Sequence, residues 1–462
     1  MALKAGSNGP PIILQRQKKD SNTMKQALNI IACWGALALA LPVFAQEQPD
    51  SLAQARKRLI DTLTYETQSG LPMAASKIYF SDSKFTFSGF GEANYIHYDG
   101  PKDLASGDIE LYMTNMYRFV SYAAWKPKPW LVVYGEIFAE LLQDRNLEYH
   151  PEYFIEVFLD FLLHEKFNVR VGTHQVQIGY VNNNDEPVMF YSVNRPEVER
   201  LIIPSTWIDL GVMAYGKLNS DLKWSFSAYQ GLDSRSFNGG TWIRRGRDEE
   251  LRFNFNSVVL NSQWNYSGIK NTDISLSGVW TQAGGDKDFG ERPVRANTML
   301  LSSYIRHEHK NWTFMGLGSY GSMQETDQIF ALTGSNTDNI PQVMGSQVYG
   351  YYAEVGYNLL PLLRARPSER RARNNFLVRG SEMKLPLFAR YERLNTHAGI
   401  HPELADEPRF QKDLQALTVG LNFNPRRSIV LKANYQFRWN QVPLSTGEME
   451  GDRFEMGVGF IF

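Results

Sequence analysis

A transmembrane antiparallel β-barrel of about sixteen strands is the fold class this sequence predicts. Three observations carry that expectation. From Phe85 to Phe462 the apolar positions recur every second residue, the charged residues keep to the opposite parity, and the connections alternate between short turns and long loops.

Composition leaves room for little else. The 462-residue chain has 21% charged residues and a formal net charge of -1, with a mean hydropathy of -0.36. A bundle of transmembrane helices would be far more apolar, and a nucleic-acid binder held by bulk charge would be basic. The aromatic share, 13%, is high.

Residues 1–23 fit no targeting segment. Lys25, the apolar run from Ala27 to Leu41 and then Val43-Phe44-Ala45 read as a secretory signal peptide that starts at Met24 and is cut before Gln46. The single cysteine, Cys33, lies inside that run. Because the run continues past it, Cys33 is not read as a lipid attachment site, and the mature chain is expected to hold no disulfide. Residues 1–45 are thus upstream residues and signal. In 46–83, Leu52, Ala55, Leu59, Ile60 and Leu63 share one face of a short helix. This stretch is read as a periplasmic leader that packs under the main domain or stays mobile.

The barrel is expected over 84–462. Its alternating segments span 84–98, 108–125, 130–141, 153–164, 167–179, 206–217, 221–230, 255–266, 272–283, 297–308, 311–322, 346–358, 384–396, 413–424, 428–439 and 453–462. In the last of these Phe454, Met456, Val458, Phe460 and Phe462 share one face, and Glu455, Gly457, Gly459 and Ile461 the other. Turns such as 126–129, 164–166, 219–220 and 425–427 are short, and the joins between them long. The basic stretch 359–384 breaks that rhythm. An Arg or Lys facing lipid at mid-membrane costs about 2 to 4 kcal/mol, and unpaired backbone there costs more, so Arg170, Arg306, Arg390 and Lys432 must point inward and the sheet must close. A soluble sandwich would satisfy the same periodicity. Against it, Trp125, Trp224, Trp264, Tyr266, Trp312 and Tyr357 gather on the apolar parity near the turn ends, with Trp280 and Trp439 near the loop ends, as two interfacial girdles.

The third long loop, 179–206, carries Val188, Met189, Phe190 and Tyr191, then Leu201, Ile202 and Ile203. It is too apolar to remain in water and is expected to fold into the barrel, where Asp185, Glu186, Arg195, Glu197, Glu199 and Arg200 would line or brace a constriction. The fourth brings Arg235, Arg244, Arg245 and Arg247, either as a positive collar or as a solvated charged loop. The wall adds acids at Glu92, Glu110, Glu136, Glu140, Glu156, Asp160, Asp209, Glu354 and Glu392. Its bases are Arg118, Arg170, Lys217, Lys223, Arg306, Arg390, Lys432 and Arg438. Opposed charges of this kind either set a transverse field across a pore or pair from wall to wall.

Motifs for chemistry are weak. Gly316 to Gly321, "GLGSYG", sits inside a strand with no following helix, and His307 and His309 lack an identifiable third metal ligand. No cofactor or metal is expected, and nothing in the spacing selects a catalytic trio. A barrel hydrolase and an adhesion or structural barrel stand as alternatives to a passive channel for small polar or charged solutes.

The stretches "FSGFGEANY", "LDFLLHEKFNVRVGTHQVQIGY" continuing through the third loop, "FNGGTWIRRGRDEE", "LFARYERLNT", "TVGLNFNPRRSIVLKANYQ" and the aromatic end resemble the phosphate-selective porin O and P family of Gram-negative outer membranes. The resemblance runs from about Phe85 to Phe462. It implies a sixteen-stranded outer-membrane barrel, commonly trimeric, whose third loop narrows each pore, and passage of anions such as phosphate. It also implies that Phe462, with Phe460, is read by the outer-membrane assembly machinery. The chain departs from the family in its many interior acids and in having Asp185 where relatives often carry His before Glu-Pro.

Overall fold

In the computed structural model, residues 66–103, 108–143, 149–247, 257–285, 288–289, 292–333, 340–363 and 377–462 are described, all within the compact unit that begins at Leu63. The proposed signal peptide, Cys33 and the helical face over 52–63 lie outside them.

Strict alternation at Phe85, Phe87, Tyr95 outside and Ser88, Phe90, Glu92 inside makes β1 (Phe85–Asp99). The same rule builds β2 (Asn115–Lys128), β3 (Leu131–Gln143), β4 (Tyr149–His164), β5 (Phe167–Gln175), β6 (Ile208–Lys217), β7 (Leu222–Gln230) and β8 (Val258–Tyr266). It continues through β9 (Thr272–Ala283), β10 (Ala296–His309), β11 (Trp312–Met323), β12 (Gln347–Asn358), β13 (Pro386–Gly399), β14 (Asp413–Arg426), β15 (Ile429–Asn440) and β16 (Asp452–Ile461). Each strand pairs antiparallel with its sequence neighbours, and β16 returns to β1, closing a barrel of sixteen strands. A two-rung hairpin at Asp288–Phe289 and Arg292–Pro293 stands apart. The largest departures from the expected strands are 108–114, where a 3₁₀ turn, Ile109–Tyr112, precedes β2, and 176–179, which follow the end of β5 at Gln175.

The seam runs from Phe90 opposite Ile461 to Asp99 opposite Asp452. One more rung extends it: the Phe462 amide donates to the Gly89 carbonyl at 2.9 Å and the Gly89 amide to the Phe462 carbonyl at 3.0 Å. A Cβ at Gly89 would lie 2.2 Å from the Val120 carbonyl oxygen and 2.8 Å from the Phe462 ring, and one at Gly91 2.7 Å from the Phe460 ring, so both positions take glycine. The freed surface is filled by Phe462, whose ring lies 6.1 Å from that of Phe119 and 5.7 Å from that of Phe87.

Outside, Phe119, Val157, Leu276 and Leu431 form part of an exposed apolar belt. Aromatics ring both rims: Phe85 stacks on Trp125 at 5.9 Å and Trp312 meets Tyr357 at 4.6 Å at the turn end, while Phe437 stacks on Trp439 at 6.2 Å at the loop end. Inside, two apolar clusters replace an open bore. One joins Val198, Leu201, Ile202 and Ile203 of the third loop to Trp242 and Ile243 of the fourth. The other joins Leu71, Ala74, Ala75 and Ile78, around the 3₁₀ helix Ala75–Phe80, to Phe90, Val120, Tyr134, Phe158 and Ile461 on the wall. The segment preceding β1 is therefore threaded into the lumen. Ser88 donates to the Ala74 carbonyl (2.7 Å), Tyr79 to Asp160 (2.6 Å) and Gln68 to Tyr215 (3.1 Å).

Candidate pore and its constriction

The third loop leaves β5 and re-enters at β6, and Asn182 ties those ends together: its amide nitrogen donates to the Val176 carbonyl and its oxygen accepts from the Trp207 amide (2.6 Å). A short helix, α1 (Glu197–Leu201), is wholly buried. Five residues cannot hold a helix by themselves, so the anchoring is by side chains. Glu199 accepts from the amides of Tyr180 (2.7 Å) and Val181 (2.6 Å) and from the Tyr352 hydroxyl (2.7 Å), fixing loop to wall. Glu197 accepts from Arg200 at 2.5 Å, Arg438 at 2.9 Å and Arg453 at 2.8 Å.

That network reaches the other long loops. Arg200 also donates to Asp108 (Nη2 to Oδ2, 3.0 Å), in the loop before β2. Arg438 reaches Glu450 at 2.7 Å, which Lys412 also engages. Burial alone would raise the Asp108 carboxyl, but Arg200 and then Lys412 outweigh it and hold it well below the usual carboxylate range. Arg244 binds Glu110 and donates to the Arg200 carbonyl (2.6 Å), and Arg247 donates to the carbonyls of Thr206 and Arg244 (2.9 Å to the latter). Arg244 and Arg247 thus brace the loop. Arg245 is half-buried beside them.

On the wall, Arg118 bridges Glu92 (2.6 Å) and Glu140 (2.5 Å). Arg170 pairs with Asp160 at 2.9 Å and lies 4.4 Å over the Phe158 ring. Arg390 holds Glu392 at 2.7 Å and Glu354 at 3.0 Å, and donates to Ser192 at 2.7 Å. Arg306 pairs with Glu308, and Arg195 donates to Thr206 at 2.7 Å. Lys432 donates to the Ser192 carbonyl at 2.8 Å and places its ammonium 3.9 Å over the Phe190 ring. Glu136 and Glu156 are register partners across β3 and β4. Neither carboxylate oxygen of Glu156 has a hydrogen-bond partner among the described residues. Loop acids face this region: burial raises Asp185 to about 6, against the pull of Arg195 and Arg118. Burial raises Glu186 to about 8, although its Oε1 accepts from the Ala74 amide at 2.6 Å.

The interior charges are thus mostly spent on one another. Asp108, Lys412, Glu450 and Arg453 belong to the same network, and no local pattern in the sequence singles them out.

Among the described residues, one space lies on each side of the loop and is lined by it. Toward the turn end a cavity of about 450 Å3 is lined by Met73, Tyr180, Phe190, Arg306, Glu354 and Arg390 among others. Toward the loop end a pocket of about 20 Å3 lies among Glu92, Glu110, Arg118, Phe190, Asn194 and Arg195, room for roughly one water. Phe190 belongs to both.

No protein-family model matches the chain. Among curated sequences it is 26% identical, over 391 residues, to an uncharacterised protein of Aquifex aeolicus (strain VF5), covering 82% of this chain and 81% of that one. Solved structures to which it is similar include the anion-selective porin from Comamonas acidovorans, 11% identical with a TM-score of 0.45, covering 82% of this chain and 99% of that one. The outer membrane channel DcaP of Acinetobacter baumannii is 13% identical with a TM-score of 0.45, covering 82% and 97%. Salmonella typhi OmpF, in complex with daunomycin, is 8% identical with a TM-score of 0.48, covering 82% and 97%.

Proposed function

We propose that this chain is an outer-membrane porin, a passive channel of narrow bore for small polar or charged solutes. One observation carries the reading: a closed antiparallel wall that is apolar and aromatic-girdled outside and charged inside, with a loop drawn across its lumen. Exposed apolar surface on this scale is stable against hydrocarbon and not against water. A charged interior in such a wall serves what passes through it. The resemblance to the phosphate-selective porins adds anions such as phosphate as candidate solutes and a trimer as the assembly. Against a strong anion preference stand Glu136, Glu156, Asp185 and Glu186, gathered where the nearby Arg118, Arg170 and Arg195 are shared with other acids.

Purified protein in planar bilayers is expected to give discrete, roughly ohmic steps, and the reversal potential in a salt gradient to report its ion preference. Silent bilayers together with hydrolysis of lipid would replace the porin with a barrel enzyme.

A further inference from the structure

The two spaces on either side of the third loop share Phe190. The larger reaches turn-end residues such as Lys384 and Arg427, the smaller lies beside Arg118 and Arg195, and Phe190 is the one residue that lines both. A solute crossing the barrel along these spaces must therefore pass the ring.

The backbone around Phe190 is fixed from both sides. Before it, the Met189 amide donates to the Glu186 carbonyl at 2.9 Å, and the Met189 carbonyl accepts from the Tyr180 hydroxyl at 3.1 Å. After it, the Tyr191 carbonyl accepts from Asn422 (2.8 Å), the Ser192 carbonyl from Lys432 (2.8 Å), and the Val193 amide donates to Asn434 (2.8 Å). The Tyr191 ring stacks on Phe388 at 5.3 Å. Phe190 itself is only half-buried, and the ammonium of Lys432, 3.9 Å from its centroid, engages the ring face. A ring on a clamped backbone moves by rotating about its own side-chain bonds, a change that needs no displacement of the loop. The attraction of an ammonium for the ring favours one rotamer.

From this arrangement we propose that the Phe190 side chain is the gate of the channel and Lys432 its latch, opening and closing by ring rotation while the third loop stays in place. The inference rests on the porin reading and names the residue that sets the bore. With the ring upright, the pocket beyond it holds about one water. Swung aside, the ring joins both spaces into one path flanked by Arg118 and Arg195 on one side and Arg306 and Arg390 on the other.

Planar-bilayer recordings of the wild type, Phe190→Ala and Lys432→Met test it, with heat-modifiable gel mobility as the check on folding. Phe190→Ala is expected to raise the unit conductance severalfold and to admit larger solutes. Lys432→Met is expected to leave the largest step unchanged but to lengthen the open dwell time. Should Phe190→Ala not fold, Phe190→Leu, which keeps apolar bulk without the ring face, is expected to give an intermediate conductance. A folded Phe190→Ala or Phe190→Leu whose steps match the wild type overturns the gate while leaving the porin standing. Silence from the wild type and from every folded variant overturns the porin reading itself.

Discussion

Glu186 sits where the third loop meets the segment threaded ahead of β1, with one carboxylate oxygen on the Ala74 amide and the other without a hydrogen-bond partner among the described residues. Burial raises its pKa to about 8. A raised carboxyl pKa means that the folded protein binds a proton the unfolded chain gives up. The associated stability is present at low pH and is lost as pH rises from the ordinary carboxyl value of about 4.5 towards 8. Thermal melts in detergent should therefore show a stability loss between pH 5 and pH 8.5 that is shallower in Glu186→Gln. Arg200 is the opposite case, a buried cation held between two carboxylates. Arg200→Met strips a partner from the buried Asp108 and Glu197, and the expected loss is about 3 kcal/mol by the same melts. Parity predicted that Arg118, Arg170, Arg390 and Lys432 point inward. It is silent on most partners, because apart from neighbours two residues along the same strand, such as Glu392 beside Arg390, a partner lies on another strand or loop at a distance set by tilt and register that no local pattern encodes.

The strands were legible to within a few residues because alternation is local: each position answers to the water or hydrocarbon beside it. The infolding of the third loop was legible too, since Leu201, Ile202 and Ile203 have no other place to go. The threaded segment was not. Leu71, Ala74, Ala75 and Ile78 are too few and too small to signal burial on their own, and what buries them is the wall of Phe90, Val120 and Phe158. Ile461, unexplained by an inward position in a wet lumen, belongs to that same cluster. Ile78→Asp places a charge at a fully buried site and should unseat the segment. Limited proteolysis is expected to cut within 66–83 in the variant and to spare it in the wild type. A variant as resistant as the wild type would show that the segment is held by its hydrogen bonds alone.

Closure of the whole barrel depends on its last residues. Phe462 pairs with Gly89 through backbone and fills the glycine-lined surface with its ring. Removing it takes the terminal rung off the seam and bares the neighbouring aromatics, so deletion of Phe462 should cut the fraction inserted into outer membrane severalfold while leaving the conductance of inserted barrels unchanged. Equal losses in both would argue that the residue shapes the bore. The threaded segment immediately precedes one lip of the seam, and its apolar face rests on Ile461 of the other. Seating the segment and closing the seam therefore bury one shared apolar cluster, so loss of either bares surface that belongs to the other.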